Sequence, residues 1–369
     1  MRRTVASVAL ALLVGPAVLS GCAAVRPVIP LGPSQKAEQP ASQQPAADAT
    51  PVVQRPAWVT PVTEQNFRQV VQRYHPNEMG HVLILEYHDF KNTEERWART
   101  RENFRKDLEM LYAKGFRAVN LLDYLNDKMP LPAGTSPVIF TFDDSLESQV
   151  KLVTKDGKVE ADPQSAVGIM LQFKKEHPDF GAAGTFYINF TPEPFRERAN
   201  WQQKIKFLVE NGFEIANHTQ YHEDLSTLTD KEVQEALGMQ VKRMQEVLPG
   251  YDGSTLALPF GIWPKHKELA ISGEFDGVKY KHRAVLLVGA DPADSPYDKR
   301  LDVMALPRVQ GIDSEFERWM PYLETYRYVS DGDPDTVVIP EDWKENLNES
   351  AVKGKKVLTY NPADVAPKQ

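Results

Sequence analysis

The apolar and polar positions divide residues 58–369 into short apolar runs and longer periodic stretches. Apolar residues at three- and four-residue spacing predict helices over Thr63–His75, Arg99–Lys114, Leu121–Asp127, Ser165–His177, Trp201–Asn211 and Asp230–Val247. Gly80 is read as ending the first of these, Gly115 as a C-cap of the second, and Pro178 as lying just beyond the fourth. Short apolar runs predict strands at His81–Tyr87, Phe116–Asn120, Val138–Phe142, Thr185–Phe190, Phe213–Ala216, Thr255–Leu258 and Ala284–Gly289. Leu306–Val309 is a candidate last strand, with Arg308 in reach of a site. Lys151–Gln164, which holds the turn signal Asp156-Gly157, reads as an exposed insertion. Val337–Tyr360 reads as polar with little periodicity. Strands separated by helices make βαβ units, so the expected class is α/β with a parallel sheet.

The run Val138–Phe142 stops at two adjacent carboxylates, Asp143 and Asp144. Side chains alternate along a strand, so the two leave its end in different directions. Downstream, His218-Thr219-Gln220-Tyr221-His222 places two imidazoles four residues apart. A helical face or a tight loop brings such a pair together. One Asp with two His is a three-ligand set that leaves positions open for water, as a hydrolytic metal site requires. Taken singly, the Asp pair would read as a helix N-cap and the His pair as a polar helix face. Their joint occurrence favours the shared chemistry. His88, Asp143/Asp144 and His218 all follow predicted strands, and (β/α) barrels collect their active sites at that end.

Met1-Arg2-Arg3 is basic, and Val5–Val18 is apolar but shorter than the roughly 20 residues that span a membrane. A signal peptide fits. Leu19-Ser20-Gly21-Cys22 resembles a bacterial lipobox, which implies cleavage before Cys22 and lipidation of it. Cys22 is the only cysteine, so there is no disulfide framework. Residues 23–57 are dense in Pro, Gln, Ala and Ser and are expected to form a disordered, extended tether. The expected organisation is therefore a lipoprotein signal over 1–22, a linker over 23–57, and a single catalytic domain with a C-terminal extension over 58–369. The expected location is extracytoplasmic, on a bacterial membrane through a lipid on Cys22. A net charge of −8 without a basic stripe argues against nucleic acid, and no long repeat points to a solenoid.

Thr141-Phe142-Asp143-Asp144 and His218-Thr219-Gln220-Tyr221-His222 resemble the first two motifs of the polysaccharide deacetylase family (NodB homology, carbohydrate esterase family 4). Gly184-Thr185-Phe186-Tyr187 resembles that family's intervening strand, and Leu258-Pro259-Phe260-Gly261 the tail of its third motif. The similarity runs from about Leu83 to Pro264. It implies a distorted (β/α) barrel, a divalent metal (usually zinc), and removal of N- or O-acetyl groups from a polysaccharide. The acetyl group of N-acetylglucosamine is the expected target, in a cell-wall or extracellular polymer. Carried over by position, Asp144, His218 and His222 become metal ligands and Asp143 the general base. Phe260 and Trp263 are expected at the sugar, with Trp201 a further candidate.

Two departures stand out. Many family members carry an Arg just before the third motif's Pro-x-Gly segment, where this chain has Ala257. The family's late Leu-x-His motif is also missing, since only His266 and His282 lie beyond Pro264 and His282 precedes its strand. His88, in Glu86-Tyr87-His88-Asp89, is the candidate proton donor; Tyr-His there resembles deacetylases of poly-N-acetylglucosamine. The departures keep open a second reading, a carbohydrate-binding lipoprotein that retains the fold without turnover. A solute-binding lipoprotein fits the anchor but explains neither the Asp pair nor the His pair.

Overall fold

The computed structural model describes residues 59–365. The expected signal sequence, Cys22 and the linker lie outside them. Everything described belongs to the unit Arg55–Gln369.

Eight parallel strands form the main sheet: β1 Leu83–Tyr87, β2 Phe116–Ala118, β3 Ser136–Phe142, β4 Thr185–Ile188, β5 Glu214–Asn217, β6 Thr255–Ala257, β7 Ala284–Leu286 and β8 Val309–Gln310. Their order is β7-β6-β5-β4-β3-β1-β8, and β2 pairs with the first half of β3. The segment 306–310 joins the two edges. Leu306 bridges Leu286 on β7, while Val309 and Gln310 pair with Leu85 and Glu86 on β1. The sheet is thus a distorted (β/α) barrel sewn shut by its last strand.

Among the described residues, eight α-helices accompany it: α1 Phe67–Tyr74, α2 Arg101–Ala113, α3 Leu121–Leu125, α4 Ala166–Glu176, α5 Trp201–Glu210, α6 Asp230–Val247, α7 Glu268–Ile271 and α8 Asp313–Tyr326. Their starts are written locally. Thr100 and Ser165 cap α2 and α4 by accepting from Asn103 N and Gly168 N. Thr229 and Glu232 close a reciprocal capping box on α6.

Period-two alternation splits the strand side chains into two cores. Leu83, Leu85, Val138, Phe140, Phe142, Phe186 and Ile188 pack outward against Phe104, Leu108 and Phe173 of the helices. Ile84, Ile139, Tyr187, Ala216, Ala257 and Leu286 fill the interior. This places the site, because Glu86 and His88 follow Ile84 on the same face, Thr141 and Asp143 follow Ile139, and His218 follows Ala216.

Some elements differ from expectation. Helix α1 ends at Tyr74, where His75 adopts a left-handed cap (φ 47) before Pro76, and Gly80 lies beyond it. The insertion after the Asp pair is an antiparallel hairpin, Leu152–Lys155 with Lys158–Ala161. A second hairpin, Ser272–Phe275 with Val278–Lys281, precedes β7. The stretch read as polar holds a parallel pair, Thr336–Pro340 with Lys356–Tyr360, whose Val338 packs on Val62 and on Val71 of α1. Among the described residues, no helix is long and apolar enough to cross a membrane.

Gly80 marks a close approach of two chain segments. A Cβ there would lie 2.2 Å from the carbonyl carbon and oxygen of Arg327 and 2.5 Å from Tyr328 N. Backbone cannot swing aside as a side-chain tip can, so Gly80→Ala is expected to cost roughly 1–3 kcal/mol. A lowered urea midpoint at unchanged slope would show it; an unchanged midpoint would not fit this packing.

Candidate active site

Asp143 continues the inward-facing row Ile139–Thr141 at the C-terminal end of β3. Its two oxygens accept from Arg308 Nη1 and Nη2, each at 2.8 Å. The other N–H groups of Arg308 go to Thr141 Oγ1 at 3.1 Å, Glu86 Oε1 at 3.1 Å and Leu287 O at 2.7 Å. All five guanidinium donors are used, in a fully buried setting. Glu86 Oε2 accepts from Gly289 N at 3.2 Å. Burial by itself would raise the Asp143 pKa, but the Arg308 charge and hydrogen bonds, with His218 nearby, hold it far below the usual carboxylate range.

Asp144 and Ser145 follow with φ of 71 and 44, a left-handed step uncommon outside glycine. That step directs Asp144 away from Arg308. Asp144 Oδ1 lies 3.3 Å from His218 Nε2 and 3.1 Å from His222 Nε2. The His pair sits on a turn beyond β5, with Thr219 and His222 at φ of 62 and 58. His218 Nδ1 faces Ala257 O at 2.8 Å, and a carbonyl only accepts, so the proton sits on Nδ1 and Nε2 presents its lone pair. Burial lowers the His218 pKa, yet Asp143 and Asp144 together outweigh it and the net shift is upward. His222 is shifted down, by burial first and then by the charge of His218.

These three residues fit a divalent cation. Asp144 Oδ1 and His218 Nε2 are buried without a hydrogen-bond partner. Two ligands each about 2.1 Å from one ion, at tetrahedral or octahedral angles, lie about 3.0–3.4 Å apart. The separations here fall in that interval. Glu86, His88 and Asp143 also converge, with ligand atoms within 4.8 Å of one another. Arg308 already bonds both of those carboxylates, so this second cluster is an ion network with its cation built in.

His88 is half-buried, with Nε2 3.8 Å from Glu86 Oε1 and its ring 4.8 Å from Trp97. Gln149 Nε2 donates to the backbone oxygens of both His88 and Asp143, stapling the ends of β1 and β3. Phe260, at φ 61 and 57% exposed, sets its ring 4.6 Å from His222. Trp263 packs half-buried on the core cluster of Leu225, Val233 and Leu256, with Lys267 Nζ 5.2 Å from its ring centre. Trp201 is a buried core residue. An open cleft of about 540 Å³ is lined by Asp89–Asn92, Leu146–Ser148 and the base of the inserted hairpin at Lys151 and Asp162, and none of the candidate site residues lies in its lining.

The guanidinium missing at position 257 therefore arrives on Arg308. Ala257 lines the barrel interior, and its carbonyl orients His218. Glu86 was legible from its period-two relation to His88. Trp97, Gln149 and the pairing of Arg308 with Asp143 carried no local signal.

Residues 179–273 match the family model for polysaccharide deacetylase. Over that segment the chain is similar to polysaccharide deacetylases. Solved structures similar to it include a polysaccharide deacetylase from Bacillus cereus, at 17% identity and TM-score 0.45, with 62% of this chain and 64% of that one covered. A Streptococcus pyogenes deacetylase in complex with acetate is 15% identical at TM-score 0.45, covering 62% and 92%. IcaB from Ammonifex degensii is 18% identical at TM-score 0.45, covering 66% and 96%. No curated protein matches the chain.

The late histidine, His282, lies fully buried ahead of β7, and burial pushes its pKa down to about 4 from the ordinary 6.5. The unfolded chain then binds a proton near pH 6.5 that the folded chain refuses until about 4, so stability is lost as pH falls through that window. At pH 4.5 this group alone costs about 2–3 kcal/mol relative to pH 7. Urea titrations at the two pH values should show a loss smaller by that amount in His282→Gln. Equal losses in both proteins would mean that His282 is already charged in the fold.

Proposed function

We propose that this chain is a metal-dependent hydrolase that removes acetyl groups from a polysaccharide, with N-acetylglucosamine units of a cell-wall or extracellular polymer as substrate. The supporting observation is the convergence of Asp144 Oδ1, His218 Nε2 and His222 Nε2 beside a carboxylate, Asp143, that Arg308 holds by both oxygens. Asp144, His218 and His222 would hold the ion, with zinc suited to an N/O set of this kind. A divalent cation there supplies polarisation of the acetyl carbonyl and acidifies water.

The chain's own groups do the rest. Asp143 accepts the proton of the attacking water, and Arg308 fixes the direction in which it does so. Because Arg308 keeps that carboxyl acidic, the proton stays on it only briefly and passes on to solvent, which restores the carboxylate for the next turnover. His88 donates to the leaving nitrogen. Phe260 offers aromatic surface beside His222, and Trp97 (39% exposed) beside His88.

The alternative, a binding protein without turnover, drew support from Ala257 and the absent late histidine. The guanidinium of Arg308 on Asp143 speaks against the first ground, and the donor role proposed here for His88 would meet the second. We further propose that the enzyme works outside the cytoplasm, tethered through residues 23–57 to a lipid on Cys22.

Acetate release from acetylated glycans, abolished by chelator, tests the whole reading. His218→Ala is expected to lose bound metal, whereas Asp143→Asn should keep it and lose activity by roughly 10²-fold or more. Metal lost together with activity in Asp143→Asn would make Asp143 a ligand instead of a base.

An amide nitrogen leaves only when protonated near neutral pH, whereas a phenolate leaves without help. His88→Ala should therefore depress turnover of an N-acetyl sugar by roughly 10²-fold or more and of an activated acetyl ester by much less. Equal losses on both substrates would assign His88 to orientation instead of proton donation.

A further inference from the structure

The turn that presents His218 and His222 hangs from a run of hydrogen bonds that begins at a buried imidazole. We infer that His282 is a positioning residue for this pair, acting through Asn217. The inference rests on the reading that Asp144, His218 and His222 hold a divalent cation.

A turn with two left-handed non-glycine residues persists only where its surroundings fix it. Three contacts do so here. Thr219 N donates to Asn217 Oδ1 at 2.8 Å, Glu223 N to Thr219 Oγ1 at 3.3 Å, and Phe190 N to Gln220 O at 2.8 Å. The first is a side-chain turn that spans His218, and it works only if the Asn217 amide oxygen points at Thr219. A flipped amide would set N–H against N–H.

Two groups dictate that orientation. Asn217 Nδ2 donates to Leu237 O at 3.1 Å and faces His282 Nε2 at 3.2 Å. His282 Nδ1 lies 2.6 Å from Ala270 O, which can only accept, so the ring proton is on Nδ1 and Nε2 is left as an acceptor. The Asn217 amide is then saturated, and its oxygen has one place to go. Burial disfavours the imidazolium, so His282 stays a neutral acceptor at neutral pH. Asn217 and His282 are both fully buried, and neither is one of the three clustered ligands. The order runs Ala270 O, His282, Asn217, Thr219 N, and the ligands lie on either side of Thr219.

Partners that orient metal ligands are worth about 10–100-fold in metal affinity. His282 stands one step further back, so an effect near roughly tenfold is expected. The test compares wild type, His282→Leu, His282→Gln, Asn217→Ala and the Leu/Ala double variant, each as the full chain. Zinc affinity is read by chelator competition, and amide hydrogen exchange over residues 217–223 is read in the zinc-free protein. His282→Leu should weaken zinc roughly tenfold and speed exchange at Thr219 while α2 amides stay protected. His282→Gln, which can accept and donate, should restore both. The double variant should bind zinc no more weakly than Asn217→Ala alone, because the two act in series. Unchanged affinity and unchanged Thr219 exchange in His282→Leu would overturn the inference, as would additive losses in the double variant. If the wild type takes no zinc, the metal reading fails, and Thr219 exchange alone decides whether His282 holds the turn.

Discussion

A guanidinium sealed from water, with every donor spoken for, sets the geometry at the top of this barrel. Arg308 touches the ends of β1 and β3 and the chain just past β7, so three strands cannot shift independently without breaking a charge-assisted bond. Two buried carboxylates on neighbouring strands would otherwise repel each other in a medium that screens poorly. Removing one partner of such a network leaves an uncompensated charge and is far more damaging than the net value of the pair. The same contact separates the roles of two adjacent aspartates. Asp143 is bound to a fixed cation of the protein and is unavailable to another, while Asp144 turns away with an oxygen that finds no protein donor.

Much of this was written in alternation. Period-two spacing puts Ile139, Thr141 and Asp143 in one row and Ile84, Glu86 and His88 in another, but both faces of these strands are apolar, so which row faces inward is settled by the fold. The helix starts were equally local, since Thr229 and Glu232 announce α6. What stayed hidden was non-local or against propensity. Nothing near Arg308 names Asp143, which lies 165 residues earlier. Helix α8 carries Pro321 in its interior and does not look like a helix. The hairpin before β7 is built of four-residue strands with exposed positions on both sides of a Asp276-Gly277 turn, too short to give a period.

The backbone of the site explains a second kind of silence. Asp144, Ser145, Thr219, His222 and Phe260 all take positive φ without being glycine. Local preference opposes each of these choices, so no scale of propensity can find them. They hold because tertiary contacts over-determine them, and strain of this sort gathers where side chains must be aimed. The His pair illustrates it: a helical face would satisfy the spacing, yet the two rings meet Asp144 from a turn.

The late position of Arg308 also bears on how the site comes into being. Synthesis proceeds from the N-terminus, and Glu86, both aspartates and both histidines emerge well before residue 306. Until the last strand docks, the barrel has an open seam, and Glu86 and Asp143 face each other without a counter-cation. In that state nothing fixes the direction of the Asp143 carboxylate. Closing the wall and fixing Asp143 are one event, so a chain cut before residue 306 would hold every residue of the two motifs and still lack the guanidinium that aims that carboxylate.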